Sequence, residues 1–77
     1  MLGVFCSSNR PYLWKSLYAS LSANDLDFNL CIAGPIPPTT LIAKNVRFIQ
    51  TNVKPAQCYF IAAYNTTGDY IVNMADD

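Results

Sequence analysis

A pair of carboxylates follows an apolar run and has the chemistry of a divalent cation site. Asp76 and Asp77 come directly after Tyr70–Met74, which the apolar pattern predicts to be a buried strand. Carboxylate oxygens are the ligands that Mg²⁺ or Mn²⁺ prefers, and such a cation neutralises phosphate oxygens. The pair therefore predicts a metal–phosphate site, and a solvated acidic terminus is the alternative.

A second polar group follows the first apolar run, Leu2–Cys6. Its hydroxyl and amide groups suit contacts to a nucleoside, and the arginine guanidinium suits phosphate oxygens. Capping of the next helix and an ordinary surface arginine explain the same residues without a ligand. These candidate nucleotide-binding residues are Ser7, Ser8, Asn9 and Arg10.

A third candidate lies at the start of the second predicted helix. Pro55 suits the first helical position, and Lys54 and Gln57 flank it. The exposed N–H groups of a helix start, together with the lysine charge, could bind an anion. An ordinary helix start is the alternative interpretation.

The predicted elements bring these residues to one edge of a sheet. Apolar runs at Leu2–Cys6, Phe28–Ala33, Val46–Gln50 and Tyr70–Met74 alternate with helices that begin at Pro11 and Pro55. We predict an α/β fold in three layers: a parallel sheet of strand order three, two, one, four with one helix on each face. Ligands bind such sheets where the strand order reverses, here between strands one and four. Ser7–Asn9 and Asp76–Asp77 should therefore face each other.

The aromatic side chains of the helices are predicted to be core, because they recur at helical spacing. These residues are Trp14, Tyr18, Tyr59, Phe60 and Tyr64. On the second helix, Ala56, Tyr59, Phe60 and Ala63 are predicted to form one face. Gly68 is predicted to be the left-handed residue just beyond the end of that helix.

Composition excludes several functional classes. The net charge is zero without a basic cluster, which argues against nucleic-acid binding. No apolar run is long enough for a membrane span, and no secretory signal is recognisable, so we expect a cytoplasmic protein. The sequence has no histidine, which excludes Ser-His and Cys-His catalysis. Cys6, Cys31 and Cys58 lack a CxxC pattern and are predicted to be buried free thiols.

Three segments resemble a known family. Ser8-Asn9-Arg10-Pro11 resembles a Tyr-Asn-Arg-Pro entry to the first helix, Asn65–Ile71 resembles a stretch that ends in Gly-Asp-Tyr-Ile, and Ala75-Asp76-Asp77 resembles the start of a DxD motif. The chain looks like the N-terminal, nucleotide-binding half of a GT-A fold glycosyltransferase of the large inverting class. The resemblance covers essentially all of residues 1–77, which would form a single partial, Rossmann-like domain.

The resemblance implies a substrate, a cofactor and site residues. The donor would be a nucleotide-diphosphate sugar of the UDP or GDP type, and the acceptor would supply a hydroxyl. Asp76 and Asp77 would hold Mg²⁺ or Mn²⁺, Asp76 would also contact the nucleotide, and Asn65 would lie near it. The acceptor half and the general base are expected to lie outside this chain, so no turnover is expected from it alone.

One departure and two alternatives remain. Ala33-Gly34-Pro35 stands where many family members have an acidic residue, and the alternative place for base recognition is the loop around Asn9, Asn52 and Gln57. The first alternative is a non-catalytic module that self-associates through apolar surface or a strand edge, which would make a homo-oligomer. The second is another nucleotide-binding α/β domain. A nucleotidyltransferase is disfavoured, because no glycine-rich loop follows the first strand.

Overall fold

The computed structural model describes residues 1–23, 27–38 and 43–74. The strands are β1 (Leu2–Ser7), β2 (Phe28–Gly34), β3 (Val46–Gln50) and β4 (Tyr70–Asn73), and the helices are α1 (Trp14–Ser22) and α2 (Pro55–Tyr64). A 3₁₀ turn, Pro11–Leu13, leads into α1. The strands form one parallel sheet in the order β3-β2-β1-β4, which confirms the predicted topology.

The two helices cover opposite faces of the sheet. Successive residues of a strand point to opposite faces, and β1 shows this alternation clearly. Val4 and Cys6 pack in the cluster that contains Trp14 of α1, whereas Phe5 packs with Cys58 and Ala62 of α2. The crossovers therefore run on opposite faces, and the strand order reverses between β1 and β4 as predicted.

Helix α1 carries its aromatic side chains into the core. Trp14 is fully buried, and its ring lies 5.3 Å from the ring of Phe48. Tyr18 packs against Phe28, and its hydroxyl donates a hydrogen bond of 2.9 Å to the Asn45 side chain. The prediction that these aromatic side chains lie in the core is confirmed for Trp14. It is confirmed in part for Tyr18, which is half-buried.

The predicted inner face of α2 is wrong. The buried residues of this helix are Cys58 and Ala62, which lie one turn apart and are small. Tyr59, Phe60 and Tyr64 are 38%, 69% and 93% exposed. Small side chains on the inner face allow the helix backbone to approach β1 and β2 closely. Phe60 and Tyr64 therefore lie outside, whereas Tyr59 borders the cluster and packs its ring against Phe5 at 5.1 Å.

The predicted end of α2 is also wrong. The helix ends at Tyr64 with Asn65 as its C-cap, and the cap residue has φ −98°, not a left-handed conformation. The Asn65 amide donates to the Ile61 carbonyl at 2.8 Å, and the Thr66 hydroxyl donates to the Ala62 carbonyl at 2.6 Å. Gly68 lies further on, with φ +156°, where a Cβ would come 2.7 Å from the Gly3 nitrogen.

Strand β4 is not the buried strand that its sequence predicts. Tyr70, Ile71 and Val72 are 77%, 49% and 41% exposed. The exposure follows from the topology. β4 is the lateral edge strand beside β1, while α2 lies over β1 and β2. The apolar side chains of β4 therefore indicate an edge strand, and they do not indicate burial beneath a helix.

The three cysteines are buried and unbridged, as predicted. Burial raises the pKa of the Cys31 thiol, while a hydrogen bond with Thr66 and the nearby Arg47 charge act in the opposite direction. A thiol in such surroundings is a poor nucleophile, because the thiolate is the reactive form. Among the described residues, no helix has the length and apolar character needed to cross a membrane.

Candidate functional site

A cleft of about 370 Å³ opens at the carboxyl edge of the sheet. It lies where the loops after β1, β2 and β3 meet the first turns of α2. The lining residues are Ser7, Ser8, Asn9, Arg10, Pro35, Asn52, Val53 and Cys58. The structure thus brings together all four residues that were predicted after the first strand. The cleft thus lies at the carboxyl edge of the sheet, where parallel α/β sheets bind ligands. It lies beside the ends of β1, β2 and β3, however, and among its described lining residues none comes from β4, so it is not at the predicted switch point between strands one and four.

Ser8 fixes the loop that forms one wall of the cleft. Its hydroxyl oxygen accepts a hydrogen bond of 2.8 Å from the Trp14 indole N–H and one of 3.1 Å from the Arg10 backbone N–H. Its own backbone N–H donates to the Ala33 carbonyl at 3.0 Å. The residue is only 5% exposed. The side chain of Ser8 therefore ties the loop to Trp14, and its backbone ties the loop to β2. Neither the 3₁₀ turn nor α1 has a side-chain N-cap hydrogen bond, so the predicted helix cap is not formed.

Gly34 allows the ends of β1 and β2 to meet. A Cβ at this position would lie 1.8 Å from the Ser8 carbonyl oxygen, so any side chain would displace the loop. The Gly34 carbonyl accepts a hydrogen bond of 2.9 Å from the Thr51 N–H. This bond holds the start of the loop after β3 beside the end of β2. The floor of the cleft is thus built from three neighbouring strand ends.

The outer wall of the cleft is polar and carries a positive charge. Asn9 and Asn52 are exposed, Ser7 and Arg10 are half-buried, and Val53 contributes an apolar surface. Among the described lining residues, Arg10 is the one charged side chain, and none is a carboxylate. Such a lining favours an anionic ligand over a cationic one.

Lys54 and Gln57 lie at the start of α2, beside the cleft but outside its lining. The Gln57 side-chain oxygen accepts a hydrogen bond of 3.3 Å from the Lys54 N–H, and the Gln57 N–H donates to the Lys54 carbonyl at 2.9 Å. Gln57 therefore caps the helix, in the manner of one half of a capping box. Lys54 is exposed and follows Val53, so its charge adds to the potential at this edge.

Asn65 lies at the opposite edge of the sheet. Helix α2 runs away from the cleft, and its length separates Asn65 from Lys54 by roughly 15 Å. Asn65 lines a smaller cleft of about 190 Å³ together with Thr66, Lys44 and Arg47. The structure therefore does not bring Asn65 to the residues that it was predicted to join.

Asp76 and Asp77 lie outside the described residues. The last described residue, Met74, donates its N–H to the Phe5 carbonyl at 3.0 Å, two positions before Ser7. Within the described ranges, no cluster of three or more His, Cys, Asp or Glu side chains could hold a metal ion.

Sequence reasoning missed part of the cleft. Val53 and Cys58 were not predicted to line it, and Pro35 was noted only as a departure from the family pattern. A signal was present for Pro35 and Val53, because both follow the carboxyl end of a strand, where parallel sheets gather their ligand contacts. Cys58 follows no strand end, and only the packing of α2 places it there.

Comparison with protein-family models, with curated proteins and with solved structures finds no match for this chain.

Proposed function

We propose that this chain forms the nucleotide-binding half of a glycosyltransferase of the GT-A type. The cleft at the carboxyl edge would bind a nucleotide-diphosphate sugar of the UDP or GDP type. The observation that carries the proposal is the meeting of Ser7, Asn9 and Arg10 with the loop after β3 around a cleft of about 370 Å³. That volume lies within the usual range for small-molecule sites, about 300–1,000 Å³.

The cleft offers complementary groups for the parts of a nucleotide. Val53 and Pro35 provide apolar surface for a base, and Asn9 and Asn52 provide amide groups for its polar edge or for ribose hydroxyls. The Arg10 guanidinium suits the diphosphate oxygens. The amino end of α2 lies at the same edge, and its dipole adds to the attraction for an anion.

Mg²⁺ or Mn²⁺ is assigned to Asp76 and Asp77, whose carboxylates are suitable oxygen ligands. Their place in the sequence supports this assignment, because they follow Met74, which is bonded to β1 close to the cleft loop. When bound, such a cation neutralises charge on the departing diphosphate. Asp76 would also accept a hydrogen bond from a donor hydroxyl group.

The reaction would transfer the sugar to an acceptor hydroxyl. Such a step requires a general base for the hydroxyl proton and a surface that positions the acceptor. The described residues that line the cleft include neither a carboxylate nor a histidine. The proposal therefore gives this chain the donor side of the reaction and predicts no turnover by the chain alone.

The proposal is tested by titration of UDP and GDP, with and without Mn²⁺, into the wild type and into Arg10→Gln. Loss of a charge-assisted contact of about 1.5–3 kcal/mol should weaken binding roughly 10- to 100-fold. Lys15→Gln is the matched control, because Lys15 is an exposed cation on α1 and does not line the cleft.

Equal affinities for the wild type and Arg10→Gln would contradict the assignment of the diphosphate to this cleft. Nucleotide binding that is lost in Arg10→Gln but does not respond to Mn²⁺ would instead favour another kind of nucleotide-binding α/β domain. Absence of binding by a folded wild-type sample would overturn the proposal.

A further inference from the structure

Strand β4 presents an open, apolar edge. Within the part of the chain that the structure describes, β1 is its one strand neighbour. Tyr70 and Val72 are in register with Leu2 and Val4 and so share the face of α1, whereas Ile71 is in register with Gly3 on the face of α2. All three are substantially exposed, so the strand is apolar on both faces.

The outer backbone groups of β4 are available for another strand. Met74 donates its N–H to the Phe5 carbonyl, towards β1. Because successive residues of a strand direct their N–H groups to opposite sides, the N–H of Asn73 and that of Ile71 point away from β1. The carbonyl groups of these two residues point the same way.

This edge lacks charged side chains, proline and a bulge, three features that usually prevent strand pairing. One protective feature is present, because the strand has only four residues. Tyr70–Asn73 contains no charge and no proline, and its four residues pair with β1 in continuous register. Tyr59 and Phe60 add exposed aromatic surface on α2, and Tyr59 packs on Phe5, one strand in from β4.

We propose that β4 pairs in antiparallel fashion with β4 of a second copy of this chain, about a two-fold axis centred on Ile71. Opposed residues of an antiparallel pair point to the same face of the sheet. The two-fold axis must therefore place a residue opposite its own copy, because any register that opposes sequence neighbours would pair side chains from opposite faces. On this axis Ile71 meets the partner's Ile71, and both outward N–H and carbonyl groups of this residue are satisfied.

The side chains of β4 complement themselves in this register. Tyr70 lies opposite the partner's Val72, an aromatic–β-branched pair of the kind that stabilises sheets. The pairing ends at Tyr70, because Asp69 lies outside β4 and its N–H is bonded to the Met1 carbonyl at 2.9 Å, so it does not continue the ladder opposite the partner's Asn73. Every apolar side chain of the strand therefore meets another apolar side chain, and the two-fold operation closes the assembly at a dimer.

The exposed area indicates a reversible dimer. At about 200 Å² for a whole aromatic side chain, the exposed parts of Tyr59, Phe60 and Tyr70 amount to roughly 370 Å². A standard interface buries about 800 Å² on each partner. Of the exposed aromatic area only the part on Tyr70, roughly 150 Å², belongs to β4, and the rest lies on α2. The β4 edge alone is therefore much smaller than a standard interface, and dissociation on dilution is expected.

Sedimentation velocity over a range of concentrations tests the proposal. The wild type should shift from monomer to dimer as concentration rises, and Ile71→Lys should remain monomeric because it places two like charges on the axis. Tyr64→Lys is the control: it introduces the same charge on an apolar residue that is more exposed but lies on α2. It should dimerise like the wild type, and circular dichroism would establish that each variant is folded.

Amide hydrogen exchange of the wild type provides a second test that needs no variant. The N–H of Ile71 should exchange more slowly as concentration rises, whereas the N–H of Val72 should not change, since it already points to β1. A wild type that stays monomeric at millimolar concentration would overturn the proposal. Dimerisation that survives Ile71→Lys would also overturn it. So would dimerisation in which exchange of the Ile71 N–H does not become slower relative to that of Val72.

Discussion

At the scale of single residues, the cleft depends on one inward-facing hydroxyl. Ser8 accepts hydrogen bonds from the Trp14 indole and from the Arg10 backbone, and this places the Arg10 side chain at the cleft. Gly34, at the end of β2, makes the same loop possible, because a Cβ at this position would overlap the Ser8 carbonyl. The residues that can meet a ligand, Asn9 and Arg10, are therefore held by neighbours that are themselves buried.

Removal of the Ser8 hydroxyl should destabilise the fold. In Ser8→Ala the buried Trp14 N–H loses its acceptor, and we expect a loss of about 1–3 kcal/mol in the free energy of unfolding. Trp14→Phe removes the donor as well, so the double variant should lose less than the sum of the single losses, by about 1 kcal/mol. Urea unfolding of the four proteins measures this coupling, and strictly additive losses would contradict it.

The positions of Ser7–Arg10 could be predicted from sequence, because the end of a central parallel strand must reach the carboxyl edge. The inward orientation of Ser8 could not, because it depends on Trp14, six residues later and on another element. Asn65 was expected near the nucleotide only because of its place in the family pattern. The predicted parallel topology already requires α2 to run from the carboxyl edge to the opposite edge, and this places its C-cap, Asn65, away from the cleft.

At the scale of elements, α2 is positioned by small side chains. Cys58 and Ala62 face β1 and β2, and Phe5 and Cys31 of those strands complete the cluster. Nearly every residue of α2 is apolar, so spacing alone cannot identify the inner face. Helix α1 has polar residues on its outer face, and there the same reasoning correctly identified Trp14 as core, with Leu17 and Leu21 buried at the same helical spacing.

A larger side chain on the inner face of α2 should lift the helix from the sheet. Ala62 is fully buried, and Ala62→Leu should cost about 1–3 kcal/mol in the free energy of unfolding through overpacking. Ala56→Leu is the matched control, since Ala56 is exposed on the same helix, and its effect should stay within about 0.5 kcal/mol. The two effects are measured as shifts in the urea unfolding midpoint. Equal shifts for the two variants would contradict this orientation of α2.

At the scale of the whole molecule, an ion pair joins the start of β1 to the start of β4. The Met1 ammonium lies 2.7 Å from an Asp69 carboxylate oxygen, at the entry to β4. The hydrogen bond and charge of Asp69 raise the pKa of the ammonium above its ordinary value of 8.0. The same contact lowers the pKa of Asp69 below its ordinary value of 3.8. Both groups are solvent-exposed, so the contribution to stability is small.

The contribution of this pair should depend on pH in a defined way. The Asp69 contribution is present above 3.8 and is lost as pH falls through the lowered folded pKa. The ammonium contribution is present below 8.0 and is lost as pH rises through the raised folded pKa. The difference in urea midpoint between the wild type and Asp69→Asn should therefore be largest between these values. A difference that stays constant across the range would show that the pair does not stabilise the fold.

The most direct test of the nucleotide cleft is the set of backbone amide shifts recorded as UDP is added in the presence of Mg²⁺. We predict shifts at Ser7–Arg10, Asn52 and Val53, which line the cleft, and none at Asn65–Thr67, which lie at the opposite edge. Shifts confined to Asn65–Thr67, or no shifts in a folded sample at millimolar UDP, would contradict nucleotide binding at the carboxyl edge of the sheet.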